Sequence, residues 1–222
     1  MYADIEEGVL NLFKAGKLII GFFILFFGFN ISLFAKTSSE LNVQKTLSAK
    51  EVVLAFQDEL LDIMKQGKGL GFKGRYQKFE PAIVKSHDLE KVARIVVGKE
   101  WKGFSEEQKQ KLTEVFSRLS IASYAHNFKE FSGESFEFLS EDKTARGGFI
   151  IHTVFILPDD KDVKFDYMLK KKADNWMIIN VIAAGVSDLA LKRSEYTSIL
   201  KREGFEALIA KITEKIDNYT NQ

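Results

Sequence analysis

Residues 175–212 read NWMIINVIAAGVSDLALKRSEYTSILKREGFEALIAKI, a stretch with signals for a strand, a turn and two helices. Three apolar side chains of its first part fall on one face of the predicted strand: Trp176, Ile178 and Ile182. Gly185 then predicts a turn, and Ser187 is a favoured N-cap residue for the charged helix that follows. Gly204 separates this helix from a last amphipathic helix. The stretch therefore predicts the end of a sheet followed by two C-terminal helices.

Three further strands are predicted ahead of this stretch. Residues 134–141 and 163–170 alternate apolar with charged side chains, as half-buried strands do. Residues 147–158 are apolar on both faces, which indicates a central strand covered on two sides. Turn signals at 158–162 and 173–175 separate these runs. About four strands joined by short turns predict an antiparallel sheet.

Helices are predicted before the sheet as well. Their predicted N-caps are Ser48, Asp88 and Ser105. Glycines at 67–71 predict that the first helix stops there, and a second helix is predicted over 72–84, limited by Pro81. The last of these helices is predicted to run from Ser105 to about Phe128. Helices that cluster before and after an antiparallel sheet predict an α+β fold in which they cover the sheet.

The composition is that of a single globular domain. The chain has 222 residues, of which 45% are hydrophobic and 28% charged, and its net charge of +1 does not indicate a nucleic-acid partner. It contains no cysteine, which excludes disulfides and thiolate catalysis.

No enzymatic constellation is recognisable in the sequence. His87, His126 and His152 are too scattered for a helical metal-binding pair, and no GxSxG elbow occurs. We therefore predict no catalytic residues, no metal site and no cofactor, and expect that the protein is not an enzyme.

The N-terminal segment has the layout of an export signal. Lys14 and Lys17 precede the apolar run 18–34, and Ala35 is followed by polar residues. We predict a signal peptide over 1–35, a flexible lead over 36–47 and a single domain over 48–219. The alternative is an uncleaved anchor, although a membrane span needs ~20 apolar residues.

The order of motifs along the chain resembles the MlaC/toluene-tolerance family. The resemblance covers roughly residues 48–215 and rests on the stretch 175–212 together with residues 79–125. The matching positions of the latter are Phe79, Gly98, Trp101, Ser105, Glu107, Gln108 and Tyr124. The segment GVSDLALKRSEY, residues 185–196, is at least as similar to HpnM, a branch associated with hopanoid genes.

The resemblance implies a periplasmic lipid carrier. It implies an apolar cavity between the sheet and the helices that holds a phospholipid or a related lipid, with a hopanoid as the alternative ligand. It also implies partners in an inner-membrane ABC transporter complex and an outer-membrane lipoprotein complex, between which the lipid is carried.

Such a cavity needs apolar walls, because shielding an acyl chain from water contributes about 0.8 kcal/mol per buried CH₂. The predicted sheet wall consists of Phe149, Ile151, Phe155, Phe165, Tyr167, Leu169, Trp176 and Ile178. The predicted helix wall consists of Val92, Val96, Leu112, Phe116 and Leu119. Hydroxyl groups at the cavity mouth are predicted for Tyr124, Tyr167 and Tyr196. The alternative for each residue is ordinary core packing, which requires the same periodicity.

Two further classes of function stay open at this point. A structural or interaction protein on the same fold would have a filled core instead of a cavity. A small-cavity enzyme would carry polar groups with shifted pKa values in its pocket, and His152 and Asp166 are the first candidates.

Overall fold

The computed structural model describes residues 46–158 and 160–221, and the predicted signal peptide lies outside them. The helices of this part are α1 (Ala49–Ser86), α2 (Leu89–Val97), α3 (Glu106–Asn127), α4 (Asp188–Glu203) and α5 (Phe205–Thr220). A 3₁₀ helix (Gly98–Gly103) joins α2 to α3. The strands are β1 (Ser135–Thr144), β2 (Gly148–Ile156), β3 (Val163–Lys172), β4 (Asn175–Ala183) and β5 (Val186–Ser187). The predicted α+β class is confirmed.

The strands form one antiparallel sheet in the order in which they follow each other along the chain. The two-residue strand β5 extends the predicted sheet of about four strands by one. The tight turn between β4 and β5 contains Ala184 and Gly185, both with positive φ (51° and 80°). Two consecutive residues with positive φ are typical of hairpin turns, which match the right-handed twist of the strands.

A bulge in β4 changes which of its side chains face the core. Met168 pairs with Asn180 and Leu169 pairs with Ile178, so Ile179 is an extra residue in β4. After the bulge, Val181 and Ala183 pack towards the core, whereas Ile182 lies opposite Asp166. The prediction that Trp176, Ile178 and Ile182 share one face is wrong for Ile182, because simple alternation does not account for the extra residue.

Helix α1 consists of two helical segments that meet at a kink. Gly71 has φ 60° and ψ −180°, which is not helical and which a glycine adopts without steric cost. The prediction that a first helix stops at the glycines 67–71 and a second helix follows is therefore confirmed, and the two segments join directly at the kink. Pro81 does not limit the second half, which continues to Ser86. Phe79 and Ile83 are buried on either side of Pro81. Their packing offsets the loss of the backbone hydrogen bond that proline cannot donate.

The predicted helix starts are confirmed. The Ser48 and Ser105 side chains each accept a hydrogen bond in a reciprocal capping box, with Glu51 and Gln108 as partners. The Asp88 carboxylate caps α2, and the Ser187 hydroxyl caps α4 by accepting a hydrogen bond from the Ala190 amide.

Two apolar clusters form the core. The sheet-side cluster lies between α1 and the inner face of the sheet and includes Phe56, Phe79 and the end of α3. The helix-side cluster lies among α2, α3, α4 and α5. Phe72 and Tyr76, in the second half of α1, pack against both clusters. In the described ranges, no helix has the length and hydropathy that a membrane crossing requires.

Candidate functional site

The sheet-side cluster brings together nine of the fourteen predicted lipid-binding residues. Six of them are almost fully buried: Ile151, Phe155, Phe165, Tyr167, Leu169 and Ile178. Phe149, Trp176 and Tyr124 are partly buried and pack against the same cluster. The sheet register explains this wall, because Phe149 pairs with Leu169 and Ile151 pairs with Tyr167 across β2 and β3. Directly opposed residues of adjacent strands share a face.

The other five predicted residues lie in the helix-side cluster. Val96, Leu112, Phe116 and Leu119 are buried there, and Val92 is partly buried against them. They pack mainly on α4 and α5 residues such as Tyr196 and Leu208, and not on the sheet. Helical periodicity correctly indicated that these side chains are buried, but it contains no information about which layer covers them.

Helix α1 supplies the layer that faces the sheet, and the sequence analysis did not assign it to the site. Its buried face consists of Val53, Phe56, Leu60, Ile63, Met64, Phe79 and Ile83. The apolar residues at helical spacing after Ser48 were the available signal. The sequence predicted this first segment, from Ser48 to the glycines 67–71, but not that it packs on the sheet.

Phe56 is at the centre of an aromatic group in this cluster. Its ring makes edge contacts with His87, Tyr124 and Tyr167, at centroid distances of 5.0, 5.4 and 6.5 Å. Tyr124 also contacts Phe79 at 5.8 Å and stacks on Phe128 at 5.5 Å. Edge-to-face packing of this kind stabilises beyond the buried area alone.

Polar groups lie within this apolar interior, and sequence reasoning missed two of them. Gln57 is 1% exposed, and its amide nitrogen donates to the Thr153 hydroxyl at 3.0 Å. Thr153 in turn donates to the Phe165 carbonyl oxygen at 3.0 Å. His87 is 9% exposed and lies directly after α1, where it forms a parallel bridge with Ile178 of β4.

The two tyrosines of the interior remain protonated hydrogen-bond donors. Burial raises the pKa of Tyr124 well above its usual range, and the nearby Tyr167 and the charge of Asp188 raise it further. Burial also raises the pKa of Tyr167, while Gln57 acts in the opposite direction. Asp188 forms an ion pair with the buried Lys192 ammonium group. The site therefore combines apolar walls with neutral hydroxyl groups and one nearby ion pair.

The candidates for an enzymatic pocket lie on the other face of the sheet. His152 is flanked in β2 by the inward-facing Ile151 and Thr153, so its ring points outward. Its Nδ1 lies 2.8 Å from Asp166 and its Nε2 lies 3.1 Å from Asp142. Burial lowers the pKa of His152, but the two aspartates outweigh this effect and the net pKa is raised. Over the described part of the chain, no group of three or more His, Cys, Asp and Glu residues is arranged to hold a metal ion.

Comparison with known proteins identifies the family. The sequence model described as "MlaC protein" matches residues 55–214. This chain belongs to the MlaC family. A relative is the intermembrane phospholipid transport system binding protein MlaC of Haemophilus influenzae, with 26% identity over 131 residues. The alignment covers 57% of this chain and 61% of that relative's length.

A solved structure shares the fold. The phospholipid-binding protein from Ralstonia solanacearum, determined in complex with a phospholipid, superimposes with a TM-score of 0.70 at 18% identity. The match covers 78% of this chain and 99% of that protein. The α+β fold described above is thus shared with this solved protein.

Proposed function

We propose that this protein is a periplasmic carrier that binds one phospholipid, or a related lipid, between its sheet and its helices. The observation that carries the proposal is its membership of the MlaC family, since both relatives described above are named for phospholipid binding or transport. The proposal extends to shuttling between an outer-membrane lipoprotein complex and an inner-membrane ABC transporter complex.

The arrangement of the apolar clusters supports this proposal physically. Phe72 and Tyr76 contact both clusters, so apolar surface continues from the sheet to the helix bundle through these two rings. Gly71, next to Phe72, interrupts α1 between its two helical segments. An acyl chain that lies along these two rings would contact apolar side chains of both clusters.

Lipid extraction provides the first test. The full chain is exported, purified from the periplasm without detergent and examined by native mass spectrometry and by chromatography of its extract. We expect one phospholipid per protein molecule. Repeated recovery without lipid would favour the alternative of a structural or interaction protein with a filled core.

Photo-crosslinking tests the location of the lipid. Phe72→p-benzoylphenylalanine places a reactive group between the two clusters, and Val84→p-benzoylphenylalanine places it on the solvent-exposed face of the same helix. We expect a labelled phospholipid to crosslink at position 72 and not at 84. Equal crosslinking at both positions would indicate non-specific adsorption and contradict the proposed site.

Transfer between vesicles tests the carrier step. Donor vesicles with a labelled phospholipid are mixed with unlabelled acceptors, and the exchange rate is followed with increasing protein. We expect a rate proportional to the protein concentration. Lipid binding without any acceleration would restrict the function to binding.

A further inference from the structure

One buried acceptor in the sheet-side cluster has no donor among the residues that the structure describes. The Ser86 hydroxyl donates its proton to the Ala82 carbonyl oxygen at 2.6 Å, so it accepts a hydrogen bond from His87 Nδ1 at 2.8 Å. This arrangement places the imidazole proton on Nδ1 and leaves a lone pair on Nε2. His87 Nε2 is buried, and no residue of the described ranges donates a hydrogen bond to it.

The His87 ring is neutral and faces apolar groups. Desolvation lowers its pKa to about 4, although the Ile83 carbonyl opposes the shift. Its ring contacts are Phe56 at 5.0 Å and Tyr124 at 5.9 Å. An unpaired lone pair among such neighbours is unfavourable, and native proteins usually satisfy it with a water molecule or a ligand.

A second buried acceptor belongs to Gln57, the residue that follows Phe56 in α1. Gln57 Oε1 is buried and forms no hydrogen bond of acceptable geometry with the residues that the structure describes, although Gln57 lies close enough to Tyr167 to influence its pKa. Tyr167, Tyr124 and His87 all contact the Phe56 ring, and Gln57 follows Phe56 in α1. Gln57, Tyr167, Tyr124 and His87 thus form a polar strip around Phe56 within an otherwise apolar cluster.

We propose that this polar strip binds a hydroxyl group on the apolar part of a lipid, with His87 Nε2 as its acceptor. The proposal rests on the proposed function, because it assumes that a lipid occupies the sheet-side cluster. It makes the protein selective for lipids that carry a hydroxyl within their chain or ring system over lipids with plain chains.

A hydroxyl fits this acceptor better than a phosphodiester or an ammonium group does. A phosphodiester has oxygen acceptors and no proton to donate, so it does not pair with Nε2. A quaternary ammonium group has no N–H, and a primary ammonium would carry a full charge into the interior at high cost. A hydroxyl donates one hydrogen bond, remains neutral and accepts in return from a tyrosine such as Tyr124.

The test compares lipids that differ only by a hydroxyl. Dissociation constants of the delipidated full-length protein are measured for a series of phosphatidylcholines with plain chains or with one hydroxyl near the start, the middle or the end of each chain. We expect at least one hydroxylated member to bind about tenfold more tightly than the plain one, as one satisfied buried acceptor implies.

Variants then assign the effect to the acceptor. His87→Phe is expected to abolish the preference, so that the hydroxylated and the plain lipid bind this variant with equal affinity. His126→Phe is the matched control, because that imidazole packs on Tyr219 away from the polar strip, and it is expected to keep the tenfold preference. Circular dichroism of both variants checks that they are folded.

The outcomes separate the two proposals. If the wild-type protein binds all members of the series with equal affinity, the proposed hydroxyl site is wrong. This is the result expected if a water molecule donates the hydrogen bond to His87 Nε2. The proposed lipid binding would not be affected by this result. Loss of the preference in the His126→Phe variant would also overturn the proposed hydroxyl site. Failure to bind any phosphatidylcholine or any other phospholipid would instead overturn the proposed function. If His87→Phe does not fold, the comparison of hydroxylated with plain lipids on the wild-type protein still tests the hydroxyl site.

Discussion

Arg75 donates a hydrogen bond from Nε to the carbonyl oxygen of Ala125 at 2.7 Å and so connects the second half of α1 to the C-terminal end of α3. The same guanidinium donates from Nη1 to the Gly67 carbonyl oxygen at 3.0 Å, across the kink at Gly71. One buried cation thus holds both sides of the bend and the adjacent helix. Its charge makes these two hydrogen bonds stronger than neutral ones.

Replacing this cation should loosen the bend. For Arg75→Leu we expect a loss of about 2–4 kcal/mol in the free energy of unfolding, since two charge-assisted hydrogen bonds disappear and two carbonyls lose their partners. Urea unfolding measures the change. Lys73→Leu removes an exposed cation from the same part of the helix and should change the stability by less than about 0.5 kcal/mol. Equal effects of the two variants would refute a structural role of the Arg75 contacts.

Two glycines of the bend should respond to alanine with opposite signs. A Cβ atom at Gly67 would lie 2.4 Å from the Lys129 carbonyl oxygen, so Gly67→Ala should destabilise by about 1–3 kcal/mol. A Cβ atom at Gly69 meets no atom within 4 Å, so Gly69→Ala should stabilise the helix by about 0.5–1 kcal/mol. Thermal melting of the two variants compares them directly, and the same sign of shift in both would contradict the close approach at Gly67.

His87 should make the protein less stable in acid. Its folded-state pKa of about 4 lies below the unfolded value of 6.5, so its stabilising contribution is present above pH 6.5 and is lost as the pH falls towards 4. At about pH 5 we expect a loss of about 2 kcal/mol relative to about pH 7 from this group. His87→Phe should remove that part of the pH dependence in urea unfolding. If the free energy of unfolding of the variant depends on pH as steeply as that of the wild type, the His87 ring is not desolvated.

His152 should act in the opposite direction. Partial burial lowers the pKa of His152, but Asp166 and Asp142 raise it above the value of the unfolded state. The contribution of His152 to the free energy of unfolding is therefore fully present below the unfolded-state pKa. It is lost as the pH rises through the folded-state pKa. Because this ring is partly exposed, we expect an effect below about 1 kcal/mol. The chemical shift of the His152 ring in an NMR titration measures the pKa directly. Asp166→Asn should lower the pKa of His152. An unchanged pKa in this variant would contradict the contact between His152 and Asp166.

The local structure was largely predictable. The capping boxes at Ser48 and Ser105 are short-range patterns, and the cap residues bond to backbone groups only three residues away. Glycines at 67–71 were correctly interpreted as an interruption, but they bend the helix because packing on both sides of the bend continues it. The inner face of β2 and β3 followed from alternation, which holds wherever a strand has no extra residue.

The candidate site was predicted only in part, for a physical reason that Val96 and Ile151 illustrate. Both are fully buried, yet one lies in the helix-side cluster and the other in the sheet-side cluster. Periodicity reports that a side chain is removed from water, and the free energy of that removal hardly depends on which apolar group covers it. The pairing of α1 with the sheet, and the burial of Gln57 and His87 between them, therefore had no local signal.

The sequence by itself determined the types and order of the elements, their caps and the motif order that places the chain in the MlaC family. These features depend on interactions between residues that are close in the chain, or on the identity of the residues alone. Only the tertiary structure decided that Ile179 is a bulge, that α1 covers the sheet and that His87 Nε2 has no donor among the described residues. Each of these depends on contacts between residues far apart in the chain, whose geometry is set when the layers pack.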